Sequence, residues 1–95
     1  MKISKLETFV VDGGWRAWTY VKVETDEGIT GWGECSDTRV PNGVTGAVRD
    51  FSTILVGQNP LAYEARFIDM ARMVRSSSGG IAARAMAGIR AAITR

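Results

Sequence analysis

Residues 17–34, with the sequence AWTYVKVETDEGITGWGE, decide the fold of this 95-residue chain. Every second residue of the first half is β-branched: Thr19, Val21, Val23 and Thr25. Aromatic or charged residues alternate with them: Trp18, Tyr20, Lys22 and Glu24. This two-residue period predicts a half-buried strand over residues 17–25. The segment Asp26-Glu27-Gly28 predicts a tight turn, after which residues 29–36 return as the partner strand.

Two glycines in the returning strand invite two interpretations. The spacing of Gly31 and Gly33 suggests a phosphate-binding loop, but residue 36 is Ser where that pattern needs a third glycine, and the segment lies on a hairpin strand. We prefer a structural interpretation, in which both glycines face one side of the sheet and let a helix or ring approach closely. Trp32 and Glu34 then face the other side.

A third strand precedes this hairpin. Residues 3–11 are apolar enough for a strand, but Ile3 is out of phase with Leu6, Thr8 and Val10, which predicts a β-bulge. The three strands together form an antiparallel meander.

Downstream, the apolar period changes to that of helices. The first helix has the stripe Val44, Val48, Phe51 and Leu55. Gly57 follows as a residue typical of the position after a helix, and Asn59-Pro60 predicts the start of a second helix over about residues 60–75. A third, alanine-rich helix has the stripe Ile81, Ala85, Ile89 and Ile93. The predicted fold class is α+β, a three-stranded antiparallel meander followed by three helices.

The second and third helices carry more apolar surface than a small sheet covers. One side of the second helix has Tyr63, Phe67, Met70 and Val74, and the nearly opposite side has Leu61, Ala65 and Ile68. The third helix reaches Arg95 without a glycine or proline stop signal, so we expect the chain to be cut off within this element. These features predict self-association through helices 2 and 3, or contact with a domain outside this chain.

Composition excludes several classes of protein. The length fits one domain, and 12 Lys and Arg against 10 Asp and Glu are scattered singly, which argues against a nucleic-acid binder. The single cysteine, Cys35, excludes an intrachain disulfide, is predicted to be a small buried residue, and fits the reducing cytoplasm. The chain has no histidine, the commonest general base and metal ligand. The apolar run at residues 9–11 is far shorter than the ~20 residues of a membrane span, so no membrane partner is expected.

Two loops are the candidate binding elements. Residues 12–16 join the first two strands and residues 37–43 lead from the sheet to the helices, so both leave the same end of a meander. The candidate substrate-binding residues are Trp15, Arg16, Asp37 and Arg39. An arginine in each loop suits a carboxylate or other anion, and Trp15 suits an apolar wall. The alternative is two ordinary solvated loops.

Three motifs occur in a characteristic order: TDEGITGWGE at residues 25–34, LVGQNP at 55–60 and GGIAARAMAGI at 79–89. With them, essentially the whole chain resembles the N-terminal capping domain of the mandelate racemase/muconate lactonizing enzyme group in the enolase superfamily. In that family, an α+β domain packs on a (β/α)₈ barrel, and its two loops close over the barrel mouth. The resemblance implies that residues 12–16 and 37–43 shape a substrate pocket.

The resemblance also implies a chemistry that this chain does not perform by itself. The family abstracts the proton α to a carboxylate, with Mg²⁺ stabilising the enediolate. Its metal-binding and acid/base residues lie on barrel strands, so we predict no catalytic residue, metal site or cofactor within these 95 residues.

We therefore expect residues 1–95 to be the capping and substrate-specificity domain of an acid-sugar dehydratase or racemase-like enzyme, inactive alone. Two alternatives stay open at this point. One is a small stand-alone α+β module that binds a partner, and the other is a non-functional truncated fragment.

Overall fold

Three strands and then three helices follow one another along the chain. The computed structural model describes residues 1–12, 14, 17–36, 41–74 and 80–94. The elements are β1 (Ile3–Asp12), β2 (Ala17–Thr25), β3 (Thr30–Glu34), α1 (Pro41–Leu55), α2 (Tyr63–Met73) and α3 (Gly80–Ile93). The strands form one antiparallel sheet in the order β1-β2-β3. The predicted α+β meander followed by three helices is confirmed.

The start of β1 contains the irregularity that its apolar phase predicts. The pairing register with β2 shifts between Ile3 and Lys5, and the side chain of Ile3 is buried in the core. Two backbone hydrogen bonds join this segment to the chain that follows α1. The Ile3 N–H donates to the Gln58 carbonyl at 2.8 Å, and the Gly57 N–H donates to the Ile3 carbonyl at 2.7 Å. Gly57 has a φ of 92°, as expected for the residue that ends the helical path.

The connection between β2 and β3 covers residues 26–29, one residue more than the predicted turn Asp26-Glu27-Gly28. The strand β3 covers Thr30–Glu34, so the predicted range of 29–36 is too long at both ends. At its start, the Thr25 N–H donates to the Ile29 carbonyl at 3.0 Å, while the Ile29 N–H donates to the side-chain hydroxyl of Thr25 at 3.1 Å, so only one of the two bonds of this pair is between backbone atoms. At its end, the Cys35 N–H still donates to the Thr19 carbonyl at 2.9 Å, so one ladder-like bond continues past the strand.

The core lies between one face of the sheet and the helices α1 and α3. The inward side chains of β2 are all buried: Thr19, Val21 and Val23. The stripe of α1 is buried as its period predicts: Val44, Val48, Phe51 and Leu55. In α3, Ala85 and Ile89 are fully buried, whereas Ile81 and Ile93 at the ends of the predicted stripe are only partly buried.

The two glycines of β3 let α3 approach so closely that its main-chain atoms contact the main chain of the strand. A Cβ built on Gly31 would overlap the carbonyl oxygen of Ala92, and one built on Gly33 would overlap the carbonyl oxygen of Gly88. On the helix, a Cβ built on Gly88 would come within 2.7 Å of the Cβ of Cys35. The structural interpretation of the glycine pair is confirmed, because the space that a side chain would need is filled by the helix backbone.

The helix α2 begins later than Asn59-Pro60 predicts. Its first residue is Tyr63, and the preceding Ala62 makes no side-chain capping bond. The Asn59 side chain accepts a hydrogen bond from the Leu61 N–H at 2.9 Å. Asn59 therefore closes a local turn instead of capping the helix, which is the physical reason for the later start.

The surface of α2 is largely exposed. Met70 is its buried residue. Exposed apolar side chains lie on and just before it: Leu61, Tyr63, Phe67, Ile68 and Met73. None of the described helices is long and apolar enough to cross a bilayer.

Candidate functional site

Both candidate binding loops depart from one end of the sheet. Asp12 at the end of β1 pairs with Ala17 at the start of β2. Tyr20, three residues further along β2, pairs with Glu34, the last residue of β3. The described ends of the 12–17 and 36–41 connections therefore lie side by side, as the meander predicts. The four candidate residues themselves lie outside the described residues: Trp15, Arg16, Asp37 and Arg39.

A polar cluster fixes the point where the chain leaves β3. The Ser36 hydroxyl oxygen accepts a hydrogen bond from the Thr19 N–H at 3.0 Å and donates its proton to Glu34 Oε2 at 2.7 Å. Ser36 and Thr19 are both buried. Because the bond between Thr19 and Ser36 is buried, it fixes the departure of the second connection relative to the central strand.

Arg84 on α3 adds a bond from the helical layer. Its Nη1 donates to the Ser36 carbonyl oxygen at 3.1 Å. A shallow cavity of about 280 Å³ lies beside this contact and is lined by Glu34, Cys35, Ser36, Arg84 and Ala87. Sequence reasoning missed the Arg84–Ser36 contact, since 48 positions separate the two residues and no local pattern links them.

Cys35 is the small buried residue that the sequence predicts, and its thiol is free. Burial, and secondly the neighbouring Glu34 carboxylate, raise the pKa of the Cys35 thiol from 9.0 to about 11. At neutral pH the thiol is therefore protonated, which makes it a poor nucleophile.

The described residues do not fit a magnesium site. Among residues 1–12, 14, 17–36, 41–74 and 80–94, no three His, Cys, Asp or Glu side chains come together. Mg²⁺ needs several oxygen ligands that converge in near-octahedral geometry. The Glu34 carboxylate instead accepts a hydrogen bond from the Ser36 hydroxyl.

Taken together, the meander, the three helices and the paired loop departures define a domain that places two connections side by side at one sheet end. Residues 12–94 match the N-terminal domain of the mandelate racemase/muconate lactonizing enzyme family. The chain belongs to this family.

Known relatives and solved structures agree with this assignment. The chain is 38% identical over 89 residues to the D-galactonate dehydratase of Ralstonia pickettii (strain 12J), a match that covers 94% of this chain and 22% of that protein. The crystal structure of the 3,6-anhydro-D-galactonate cycloisomerase from Zobellia galactanivorans superposes with a TM-score of 0.91 at 25% identity and covers 98% of this chain and 27% of that one.

A further solved structure, of a protein assigned as an L-alanine-DL-glutamate epimerase from Burkholderia xenovorans strain LB400, is bound to magnesium and fumarate. It superposes with a TM-score of 0.90 at 32% identity and covers 97% of this chain and 23% of that one. The chain thus corresponds to the N-terminal part of larger enzymes and spans about a quarter of their length.

Proposed function

We propose that residues 1–95 form the capping and substrate-specificity domain of an enolase-superfamily enzyme that acts on a carboxylic acid. The observation that carries this proposal is the departure of both loops from one end of the sheet, where Asp12 pairs with Ala17 and Ser36 bonds to Thr19. The dehydratase relatives favour an acid-sugar dehydratase as the parent enzyme. A racemase-like enzyme is the alternative. We assign the (β/α)₈ barrel, with its Mg²⁺ and acid/base residues, to the part of such an enzyme outside this chain.

Within this proposal, the loops select the substrate and the barrel performs the reaction. Arg16 and Arg39 provide charge-assisted hydrogen bonds to an anionic, hydroxylated substrate, with Asp37 as a further polar contact and Trp15 as an apolar wall. Contacts of this kind to the distal part of a substrate change which acid is accepted, because they contribute to transition-state binding without taking part in proton transfer.

The test is a chimera in which this chain replaces the N-terminal domain of the Ralstonia dehydratase. We expect Trp15→Ala, Arg16→Ala and Arg39→Ala to change the ratios of kcat/KM across a panel of sugar acids by about ten- to a hundredfold. The matched control is Glu27→Ala, which lies in the hairpin at the other end of the sheet. Unchanged ratios together with a clear fall in melting temperature would show that the loops are structural and that the specificity assignment is wrong.

We further propose that the 95-residue chain is inactive by itself. Incubated with sugar acids and Mg²⁺ in deuterated solvent, it is expected to produce no exchange of the α-proton. Saturable exchange that a chelator abolishes would contradict this.

An exposed groove supports a second candidate function, that of an interaction module. An apolar groove of about 510 Å³ lies between α2 and α3 and is lined by Phe67, Ala83, Met86, Ala87, Arg90, Ala91 and Thr94. The groove fits either the barrel domain or self-association through α2 and α3, and an interface of this kind usually excludes water from an apolar centre. Adding a separately produced barrel fragment distinguishes the two, because binding that protects Phe67 from solvent in hydrogen exchange favours the barrel.

The free thiol of Cys35 supports a cytoplasmic location.

A further inference from the structure

The outer face of the sheet carries partly exposed aromatic and charged side chains to which the proposed function assigns no role. Along β2, the residues that alternate with the buried Thr19, Val21 and Val23 face away from the helices. The cross-strand register extends this outer face to both neighbours, where it comprises Lys5, Glu7, Phe9, Val11, Trp18, Tyr20, Lys22, Glu24, Thr30, Trp32 and Glu34. The helices α1 and α3 pack on the other face. Among the outer residues, Glu34 at the sheet end lies beside a described helix, in the cavity that Arg84 and Ala87 also line.

Aromatic rings occupy the centre of the outer face. The rings of Phe9 and Trp32 reach across the central strand toward each other, with centroids 5.4 Å apart. The ammonium group of Lys22 lies 5.7 Å from the Trp32 ring centroid. Phe9 is 38% exposed, Trp32 47% and Val11 51%. Exposed aromatic side chains that contact one another on a regular surface are typical of the centre of a protein interface.

Beside the rings, four charges form an alternating square. Along the strands, Lys5 lies 3.4 Å from Glu7 and Lys22 lies 3.2 Å from Glu24, measured between ammonium nitrogen and carboxylate oxygen. Across the strands, Glu7 is paired with Lys22 and Lys5 is paired with Glu24. Every charge therefore has an opposite charge as its neighbour in both directions, and the square as a whole is neutral.

We infer that the outer face of the sheet binds a second copy of this chain, face to face. An alternating square is complementary to itself. When one copy is rotated by half a turn about an axis that runs along the strands between β1 and β2, each lysine comes opposite a glutamate of the other copy and Phe9 comes opposite Tyr20. Two-fold contacts of one patch with its own copy are the commonest arrangement in homo-oligomers. A strongly one-signed partner gains nothing from a neutral square, so charge complementarity favours the second copy.

The dimensions of the face set the expected strength of this contact. The nine residues of β2 span about 30 Å. Three strands spaced about 4.8 Å apart span roughly 14 Å, so each copy contributes on the order of 400 Å² of sheet surface. Two such faces bury roughly 800 Å² together, which is below the about 1,200 Å² of stable specific interfaces and in the range of weak, transient contacts. The dimer is therefore expected to be weak and reversible.

Sedimentation of the 95-residue chain over a range of concentrations tests the location of the contact. The wild-type chain is expected to show a monomer–dimer equilibrium, and Phe9→Thr or Trp32→Thr to weaken dimerisation at least tenfold while circular dichroism and the melting temperature confirm folding. The matched control is Val56→Thr, an apolar residue after α1 that is 47% exposed, as Trp32 is, and lies outside both the outer face and the α2/α3 groove; it is expected to leave the equilibrium unchanged. Phe67→Gln reports on the α2/α3 groove instead. A monomeric wild type, or a dimer that Phe67→Gln disrupts and Phe9→Thr and Trp32→Thr do not, would overturn the inference.

A charge-reversal experiment tests the face-to-face arrangement itself. The quadruple variant Lys5→Glu, Glu7→Lys, Lys22→Glu, Glu24→Lys retains every contact between opposite charges within its own copy and within its own dimer. Against a wild-type copy, however, all four positions bring like charges together. Native mass spectrometry of a mass-tagged equimolar mixture is therefore expected to show both homodimers and less than about a tenth mixed dimer. Random mixing, which gives about one half mixed dimer, would overturn the face-to-face arrangement.

Discussion

The two faces of the sheet differ in what contacts them: the helix α3 packs on the inner face, whereas side chains of the outer face stay partly exposed. The inner face presents glycines and β-branched side chains, and α3 approaches it so closely that the backbone oxygens of Gly88 and Ala92 fill the space beside Gly33 and Gly31. The outer face presents aromatic rings and paired charges that remain partly exposed. Adjacent residues of a single strand therefore have different roles. The inward residues determine whether the domain folds, and the outward residues are available for contacts with other molecules.

The largest effect is expected from a methyl group placed on the inner face. In Gly33→Ala, the new Cβ would overlap the Gly88 carbonyl and force α3 away from the sheet. We expect a loss of at least about 3 kcal/mol in the free energy of unfolding, measured by urea denaturation. Gly46→Ala is the matched control, because its Cβ meets nothing within 4 Å inside α1, and it is expected to stabilise the chain by up to about 1 kcal/mol. Equal stability of the two variants would mean that the close approach does not persist in solution.

A smaller loss is expected when a core side chain is shortened. Val21 is fully buried on the inner face, whereas its neighbour Lys22 faces outward and pairs with Glu24. Val21→Ala should cost about 2 kcal/mol through lost burial and a residual cavity. Lys22→Ala should cost less than about 1 kcal/mol, since partly exposed ion pairs contribute little. Urea unfolding of both variants checks the difference, and a larger loss for Lys22→Ala would contradict the division between the faces.

The pH dependence of Cys35 gives a further test of burial beside the α3 contact. Burial raises the pKa of its thiol to about 11 in the folded chain, from 9.0. The folded state therefore binds this proton more tightly, and the stabilisation is fully present below pH 9 and is lost as the pH rises from about 9 to about 11. The urea midpoint should fall more steeply over this range in the wild type than in Cys35→Ala. Parallel pH profiles would show that the thiol titrates alike in both states.

The smallest effect is expected on α2, which adds a third surface to the comparison. Ile68 is 50% exposed on a helix whose buried residue is Met70. Ile68→Gln should therefore change the free energy of unfolding by no more than about 0.5 kcal/mol in a thermal or urea titration. A loss above about 1 kcal/mol would indicate that this side of α2 is covered in solution.

Local periodicity was sufficient to predict most of the fold. The phase of Ile3 predicted the bulge, the stripe of α1 predicted its buried side, and the spacing of Gly31 and Gly33 predicted a close neighbour. The predicted start of α2 was wrong because the Asn59 side chain can either cap a helix or close a turn. In the structure it closes a turn. A sequence pattern does not decide between a cap and a turn when both satisfy the same oxygen.

The candidate site was predictable only in its placement. Antiparallel order alone brings the two loop departures to one end of the sheet, and the described ends confirm this. The roles of Trp15, Arg16, Asp37 and Arg39 stay predictions. The Arg84–Ser36 bond was beyond sequence reasoning, because it depends on how far α3 sinks toward β3, a distance set by packing and not by either segment alone.

The close contact between α3 and β3 has a consequence for how such domains diversify. In this contact, main-chain atoms of α3 lie against glycines of β3, so it does not require side chains of complementary shape. Residues on the exposed side of α3 can therefore be substituted without loss of this contact, and Arg84 still reaches the Ser36 carbonyl. A laboratory that exchanges the two loops as cassettes between related domains should therefore succeed most often when Gly31, Gly33 and Gly88 are all retained.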